Sequence, residues 1–242
     1  MALEQALQDL KETESSEAFS LQNSKMLKVE LSEATIQAKL GSMVAHQGDV
    51  KFEHAGSGGV ARFVKKAMTG EGTNLMKVSG SGEVFLADLG QDIQLLKLEN
   101  ESITANGANV LAFEAGIDWD IKRVEGASGM LGGGLYNMSL EGSGWVAVIS
   151  DGPPVMLEVD GESTFADPQA AITWSSGLST SVKADVNMKT LIGRGSGETI
   201  QMSFSGTGWV LIQPSEGRVA GAAQTGGSGG GAGGAIGKLL QS

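Results

Sequence analysis

Short runs of alternating apolar and polar residues make up most of the chain from Phe19 onward. Met26 to Leu31, Thr35 to Leu40 and Ser42 to His46 are typical, and glycine or polar pairs separate them. A period of two residues places alternate side chains on opposite faces of a β-strand. The pattern therefore predicts an all-β protein with many short strands and at most short helices.

Two segments have helical spacing instead. Apolar residues recur every three or four positions in the acidic leader of residues 1–18, at Leu3, Ala6, Leu7 and Leu10. The leader is expected to be either a short amphipathic helix, which could dock a partner, or a frayed tail. A second short helix is predicted from Val60 to Met68. Residues 218–242 are rich in glycine and are expected to form a flexible tail, because they offer little apolar surface to bury.

The strongest organisational signal is a glycine pair, separated by one residue, that occurs three times before an apolar run. The three segments are Gly80-Ser81-Gly82-Glu83-Val84-Phe85-Leu86, Gly142-Ser143-Gly144-Trp145-Val146-Ala147-Val148 and Gly206-Thr207-Gly208-Trp209-Val210-Leu211-Ile212. Their first glycines lie 62 residues (80 to 142) and 64 residues (142 to 206) apart. We expect each pair to open a strand, with the glycines permitting positive φ or close backbone approach.

A second set of matching segments follows the same period. Val44-Ala45-His46, Leu111-Ala112-Phe113 and Ile172-Thr173-Trp174 each precede an expected turn, at Gly48, Gly116 or Gly177. Together the two sets predict one body, residues 19–217, made of three tandem related β units with pseudo-threefold repetition. The units span roughly residues 19–88, 89–150 and 151–217.

The run Met26-Leu27-Lys28-Val29, the segment from Gly41 to Val50 and the three glycine-pair strands resemble the AIM-twenty-four (altered inheritance of mitochondria) family, which has bacterial members. The resemblance covers roughly Phe19 to Ser215. It implies a fold similar to the tryptophan RNA-binding attenuation protein, of the double-stranded β-helix or sandwich type, and an oligomer. It implies no established enzymatic activity.

Alternation within the glycine-pair strands predicts which side chains form the core. Val84 and Leu86, with their counterparts in the other two units, share one face. The opposite face is also largely apolar, so it needs cover from the chain itself or from a partner subunit. The candidate interaction surface on this face consists of Phe85, Trp145, Trp209 and Leu211.

Composition and charge narrow the function. The chain has 242 residues, formal net charge -11 and no cysteine. Net negative charge disfavours nucleic acid as a partner. The lack of cysteine excludes disulfides, thiolate metal sites and a cysteine nucleophile. Because no signal peptide or long apolar stretch is recognisable, we expect a cytoplasmic location.

Candidate chemistry is sparse. His46 and His54 are the only histidines, and two histidines without a third ligand are weak grounds for a metal site. Asp118 and Asp120 flank Trp119 and fit a solvated carboxylate pair better than an acid–base pair. We predict no catalytic residue, no cofactor-binding residue and no metal ligand, so the protein is not expected to be an enzyme.

The sequence therefore predicts a non-enzymatic assembly protein that self-associates through β faces. A homo-oligomer, with a trimer favoured, and a further protein partner of unknown identity are expected. Two alternatives remain: a nucleic-acid-binding protein, by analogy of fold, and a membrane-associated scaffold. The scaffold alternative rests on the mitochondrial relatives and on the apolar end from Ile236 to Leu240.

Overall fold

The computed structural model describes residues 2–8, 10–54, 75–123, 136–184 and 200–215. The predicted helix from Val60 to Met68 and the glycine-rich tail lie outside these ranges. Within them the chain is almost entirely antiparallel β-structure, which confirms the all-β prediction. The leader contains helix α1 (Ala2–Gln8), and one 3₁₀ turn spans Gly107–Asn109.

The strands are numbered in chain order. They are β1 (Phe19–Asn23), β2 (Met26–Lys39), β3 (Met43–His54), β4 (Leu75–Leu86), β5 (Asp92–Asn106), β6 (Val110–Glu114), β7 (Ile117–Arg123), β8 (Tyr136–Ser150), β9 (Val155–Asp160), β10 (Thr164–Ala166), β11 (Ala171–Ser175), β12 (Ser179–Ala184), β13 (Ile200–Ser205) and β14 (Thr207–Ile212).

These strands form two sheets. The larger sheet has the order β3-β4-β2-β6-β8-β5-β11-β14-β9, with β1 added to β2 and β7 added to β8. The smaller sheet has the order β10-β13-β12. The end strands of the sheets therefore include β3, β9 and β10.

The first two glycine pairs lie in the middle of long strands rather than opening new ones. Gly80 and Gly142, the first glycines of these pairs, have φ of +131° and +134° inside β4 and β8. Gly206, with φ of +122°, separates β13 from β14. Added Cβ atoms at Gly80 and Gly82 would collide with backbone oxygens of β3, so close strand approach requires glycine at both positions.

Bulges lie opposite the first two glycine pairs. Glu33 in β2 and Asn100 in β5 have φ of +53° and +57° at register shifts of their ladders. The Glu33 N–H donates to Ser81 Oγ at 3.2 Å, and the Asn100 N–H donates to Ser143 Oγ at 2.8 Å. The serine between the glycines thus satisfies the bulged backbone.

The bulge at Glu33 corrects one expectation. Met26 to Leu31 and Thr35 to Leu40 were expected as separate strands, but β2 runs through from Met26 to Lys39. A bulge inserts one residue without ending the pairing. The expected turn at Gly48 is also wrong: β3 continues through it, because Gly48 adopts φ of +89° beside the backbone of Ser81.

The core face predicted from alternation is confirmed. Val84, Leu86, Val146, Val148 and Val210 are all fully buried. Their side chains contribute to three buried clusters, and Ile212 packs against the third of them. The buried cores thus follow the same face of the glycine-pair strands along the chain.

Candidate assembly surface

The structure places Phe85, the first predicted interaction residue, inside its own chain. Its side chain is 9% exposed. The Lys28 ammonium lies 6.0 Å from the centre of its ring, within the range of a cation–π contact. Phe85 therefore already has cover from β2.

Trp145 is half-buried and packs against the first core cluster, which includes Phe19 and Leu31. Its indole Nε1 donates to Glu17 Oε2 at 3.4 Å, and the Lys97 ammonium lies 5.1 Å from its ring centre. Its backbone N–H donates to Glu114 Oε2 at 2.8 Å. Trp145 thus joins β8 to the leader and to β6.

Trp209 and Leu211 are also half-buried, and both pack against the second core cluster. The Trp209 N–H donates to Ser175 Oγ at 3.1 Å, so it repeats the contact that Trp145 makes with Glu114. All four predicted interaction residues are therefore covered, wholly or in part, by their own chain. The largest exposed apolar side chains lie elsewhere.

Some of those exposed side chains lie in the leader and in turns, and others lie on the end strands of the sheets. Val44 on β3 is 52% exposed, and Met156 on β9 is 51% exposed. Val155 and Leu157 on β9 and Met43 on β3 are exposed as well. In the part of the chain that the structure describes, β3 pairs only with β4 and β9 pairs only with β14. These two strands combine an open edge with exposed apolar side chains.

The exposure of β3 contrasts with that of β6 and β11. One residue on each of these strands pairs with a valine that lies four residues beyond the first glycine of a glycine pair. The three pairings are His46 with Val84, Phe113 with Val146 and Trp174 with Val210, so the three residues hold corresponding places. Phe113 and Trp174 are fully buried, whereas His46 is exposed.

The difference follows from the neighbouring strands. β6 is flanked by β2 and β8, and β11 is flanked by β5 and β14. Among the described residues, β3 has no strand on its second edge. Sequence reasoning aligned these three segments but missed the exposure of Val44 to His46, because exposure depends on a neighbouring strand and not on the segment's own residues.

A charged cluster lies near the β3 edge and ties the leader to the body. The Lys28 ammonium contacts Glu83 Oε1 at 2.6 Å and Glu12 Oε2 at 3.3 Å, and it donates to the backbone oxygen of Thr13 at 3.2 Å. The hydrogen bond with Glu83 raises the pKa of Lys28 against the opposing effect of burial. The hydrogen bond with Lys28 lowers the pKa of Glu12. Gln47 on β3 also donates to Glu12, at 3.3 Å.

The residues considered for chemistry do not converge within the described ranges. The His46 ring contacts Phe52 edge to face at 5.3 Å, and the side chain of His54 lies outside the description. Asp118 and Asp120 are exposed on β7. Among the described residues, no three His, Cys, Asp or Glu side chains are grouped as a metal site requires. No helix in the described ranges is long and apolar enough to cross a membrane.

Comparison with known proteins identifies a family and similar proteins. The family model described as Mitochondrial biogenesis AIM24 matches residues 19–215. An uncharacterized protein of Streptococcus pyogenes serotype M6 is 24% identical over 200 residues, covering 74% of this chain and 76% of the relative. An X-ray crystal structure of a Streptococcus pyogenes protein has a TM-score of 0.66 at 23% identity, covering 81% of this chain and 91% of that one. The structural likeness supports the fold.

Proposed function

Since this chain belongs to the Mitochondrial biogenesis AIM24 family, whose model matches residues 19–215, we propose that it is a non-enzymatic assembly protein that associates with copies of itself. The observation that carries the proposal is the coincidence of open sheet edges with exposed apolar side chains on β3 and β9. The non-enzymatic part rests on the sequence, which offers no reactive cluster at catalytic spacing.

Open edges favour association for a simple reason. An edge strand presents N–H and C=O groups that can pair with another strand, and natural proteins often protect such edges with charges, prolines or bulges. The first three residues of β9, Val155, Met156 and Leu157, carry no charge. Burial of exposed apolar area contributes roughly 25 cal/mol per Å². A second copy would satisfy both the backbone groups and the apolar surface.

We also propose that the body consists of three copies of one unit. Three sets of strand pairings support this. β2 pairs with β4, β5 pairs with β8, and β9 and β10 pair with β14 and β13, each time across the glycine pair.

The similarity to the tryptophan RNA-binding attenuation protein stays a proposal at the level of fold. A trimer remains the favoured closed assembly.

Sedimentation velocity of the full chain over a range of concentrations tests self-association. We expect species heavier than one chain, and we expect Val44→Lys to shift them toward the monomer, because it places a charge on the edge strand β3. Leu89→Lys is the matched control, since Leu89 is 77% exposed in the turn between β4 and β5 and does not belong to an edge strand. A wild-type chain that stays monomeric at every concentration would overturn the proposal.

The nucleic-acid alternative receives no support from the described surface. The net charge of -11 opposes phosphate binding. We therefore expect no retention of labelled RNA at low salt.

A further inference from the structure

We propose that the assembly is head-to-tail: the outer edge of β10 in one copy pairs with the outer edge of β3 in the next. The register places Thr164 opposite Gln47, Phe165 opposite His46 and Ala166 opposite Ala45. This inference rests on the proposed function, because it specifies how self-association occurs.

The first support is a joint within the chain. β2 pairs with β6 in antiparallel register, with Ile36 opposite Glu114, Gln37 opposite Phe113 and Ala38 opposite Ala112. This pairing connects the first proposed unit to the second. It uses the second half of β2, beyond the bulge at Glu33.

The second joint repeats the first residue for residue. β5 pairs with β11, with Ile103 opposite Ser175, Thr104 opposite Trp174 and Ala105 opposite Thr173. The pairing again begins beyond a bulge, at Asn100. Two independent joints therefore share one geometry.

β10 holds the corresponding place in the third proposed unit. In the strand register, Ile36 pairs with Val78, Ile103 pairs with Leu140 and Thr164 pairs with Phe204. Each of those three lies two residues before the first glycine of its pair. Thr164 therefore corresponds to Ile36 and Ile103, and the β10 edge corresponds to the edges that receive β6 and β11.

β3 holds the place of the receiving strand in the first proposed unit. His46, Phe113 and Trp174 correspond through their valine partners on β4, β8 and β14. Among the described residues, β3 and β10 do not pair with each other within one chain. The β10 and β3 edges of one copy therefore correspond to the two strands that pair with each other at the internal joints, β2 with β6 and β5 with β11.

The junction between copies should be weaker than the internal joints. Glu83 in β4 occupies the position of Trp145 in β8 and Trp209 in β14, directly after the glycine pair. Glu83 is engaged with Lys28 rather than packed on apolar residues. The junction pairs two different surfaces, so it is heterologous and yields a ring if the rotation closes or a filament if it does not. We expect reversible, concentration-dependent assembly.

Cysteine cross-linking tests the register directly, because the chain has no cysteine of its own. His46→Cys and Phe165→Cys are made in separate full-length copies, and both positions are exposed. Gln47→Cys and Thr164→Cys form a second pair. Neighbouring antiparallel pairs alternate between close and wide spacing, so one of the two pairs is the close kind that suits a disulfide. Samples are oxidised with diamide and separated without reductant.

We expect a cross-linked dimer when complementary variants are mixed, and none when either variant is oxidised alone. Glu53→Cys, at the far end of β3, replaces His46→Cys in the control mixture and should not cross-link. Two outcomes would overturn the head-to-tail register and leave self-association standing. One is cross-linking of a single variant with itself. The other is a mixture that forms oligomers in sedimentation without cross-linking through either cysteine pair. Absence of any assembly in the same sedimentation runs would overturn both proposals.

Discussion

Strands β3 and β6 occupy corresponding places beside β4 and β8, yet one is exposed and the other is buried. Val110, Leu111, Ala112 and Phe113 in β6 are fully buried, whereas Met43 to Gln47 in β3 are exposed. Both strands pair on one side with a glycine-pair strand. Only β6 has a second described neighbour, β2. Burial here is set by the adjoining strand, and the comparison identifies β3 as the place where a further strand fits.

The largest expected effect comes from removing the aromatic ring at corresponding positions. Phe113→Ala should lower the free energy of unfolding by about 3–5 kcal/mol, because it leaves a cavity in a closed core. His46→Ala should change it by less than about 0.5 kcal/mol, as for an exposed site. Urea unfolding at low protein concentration measures both. Equal losses at the two positions would contradict the comparison.

The glycine pairs provide a feature that the exposed and buried regions share. Gly142→Ala should destabilise by about 1–3 kcal/mol, because an alanine would hold φ near +134° and its Cβ would lie 2.7 Å from the Gly116 oxygen. Gly82→Ala, beside the exposed β3, should cost a similar amount. Gly177→Ala is the control, since its added Cβ would have no neighbour within 4 Å. Thermal unfolding of the three variants measures the difference, and a Gly82→Ala chain as stable as the Gly177→Ala control would show that close approach does not constrain β4.

The smallest expected effect concerns the leader next to β3. The pKa of Glu12 is lowered from 4.5, so its contribution is present above that value and is lost as the pH falls through the lower folded value. The pKa of Lys28 is raised from 10.5, so its contribution persists at neutral pH and is lost only as the pH rises through the higher folded value. Acidification below 4.5 should therefore release the leader from the body.

The amide resonance of Thr13, which donates to Gln22, reports this release in an NMR pH titration. In Lys28→Gln the same resonance should already be shifted toward the released position at pH 7. The β6 amides, far from the leader in sequence, serve as the internal control. An unchanged Thr13 resonance in Lys28→Gln would show that Lys28 does not hold the leader.

Much of the fold was accessible from the sequence because its main features are local. Alternation identified Val84 and Val146 as core residues, whereas the first two glycine pairs, which were expected to open strands, lie within β4 and β8. The continuity of β2 could not be predicted from the sequence. The bulge at Glu33 depends on Ser81 of the neighbouring strand, whose side chain accepts the Glu33 N–H. The same limit applied to the candidate site. Trp145 and Trp209 were predicted as contact surface from their own strands, whereas their actual cover comes from residues distant in sequence.

Amide hydrogen exchange of the full chain as a function of protein concentration tests edge pairing between copies most directly. We expect peptides covering residues 43–47 and 164–166 to gain protection as concentration rises, while β6 is protected throughout. The edge amides of β3 would then be sequestered only in the assembly. Fast exchange of both edges in a sample that sedimentation shows to be assembled would contradict edge pairing and place the contact elsewhere.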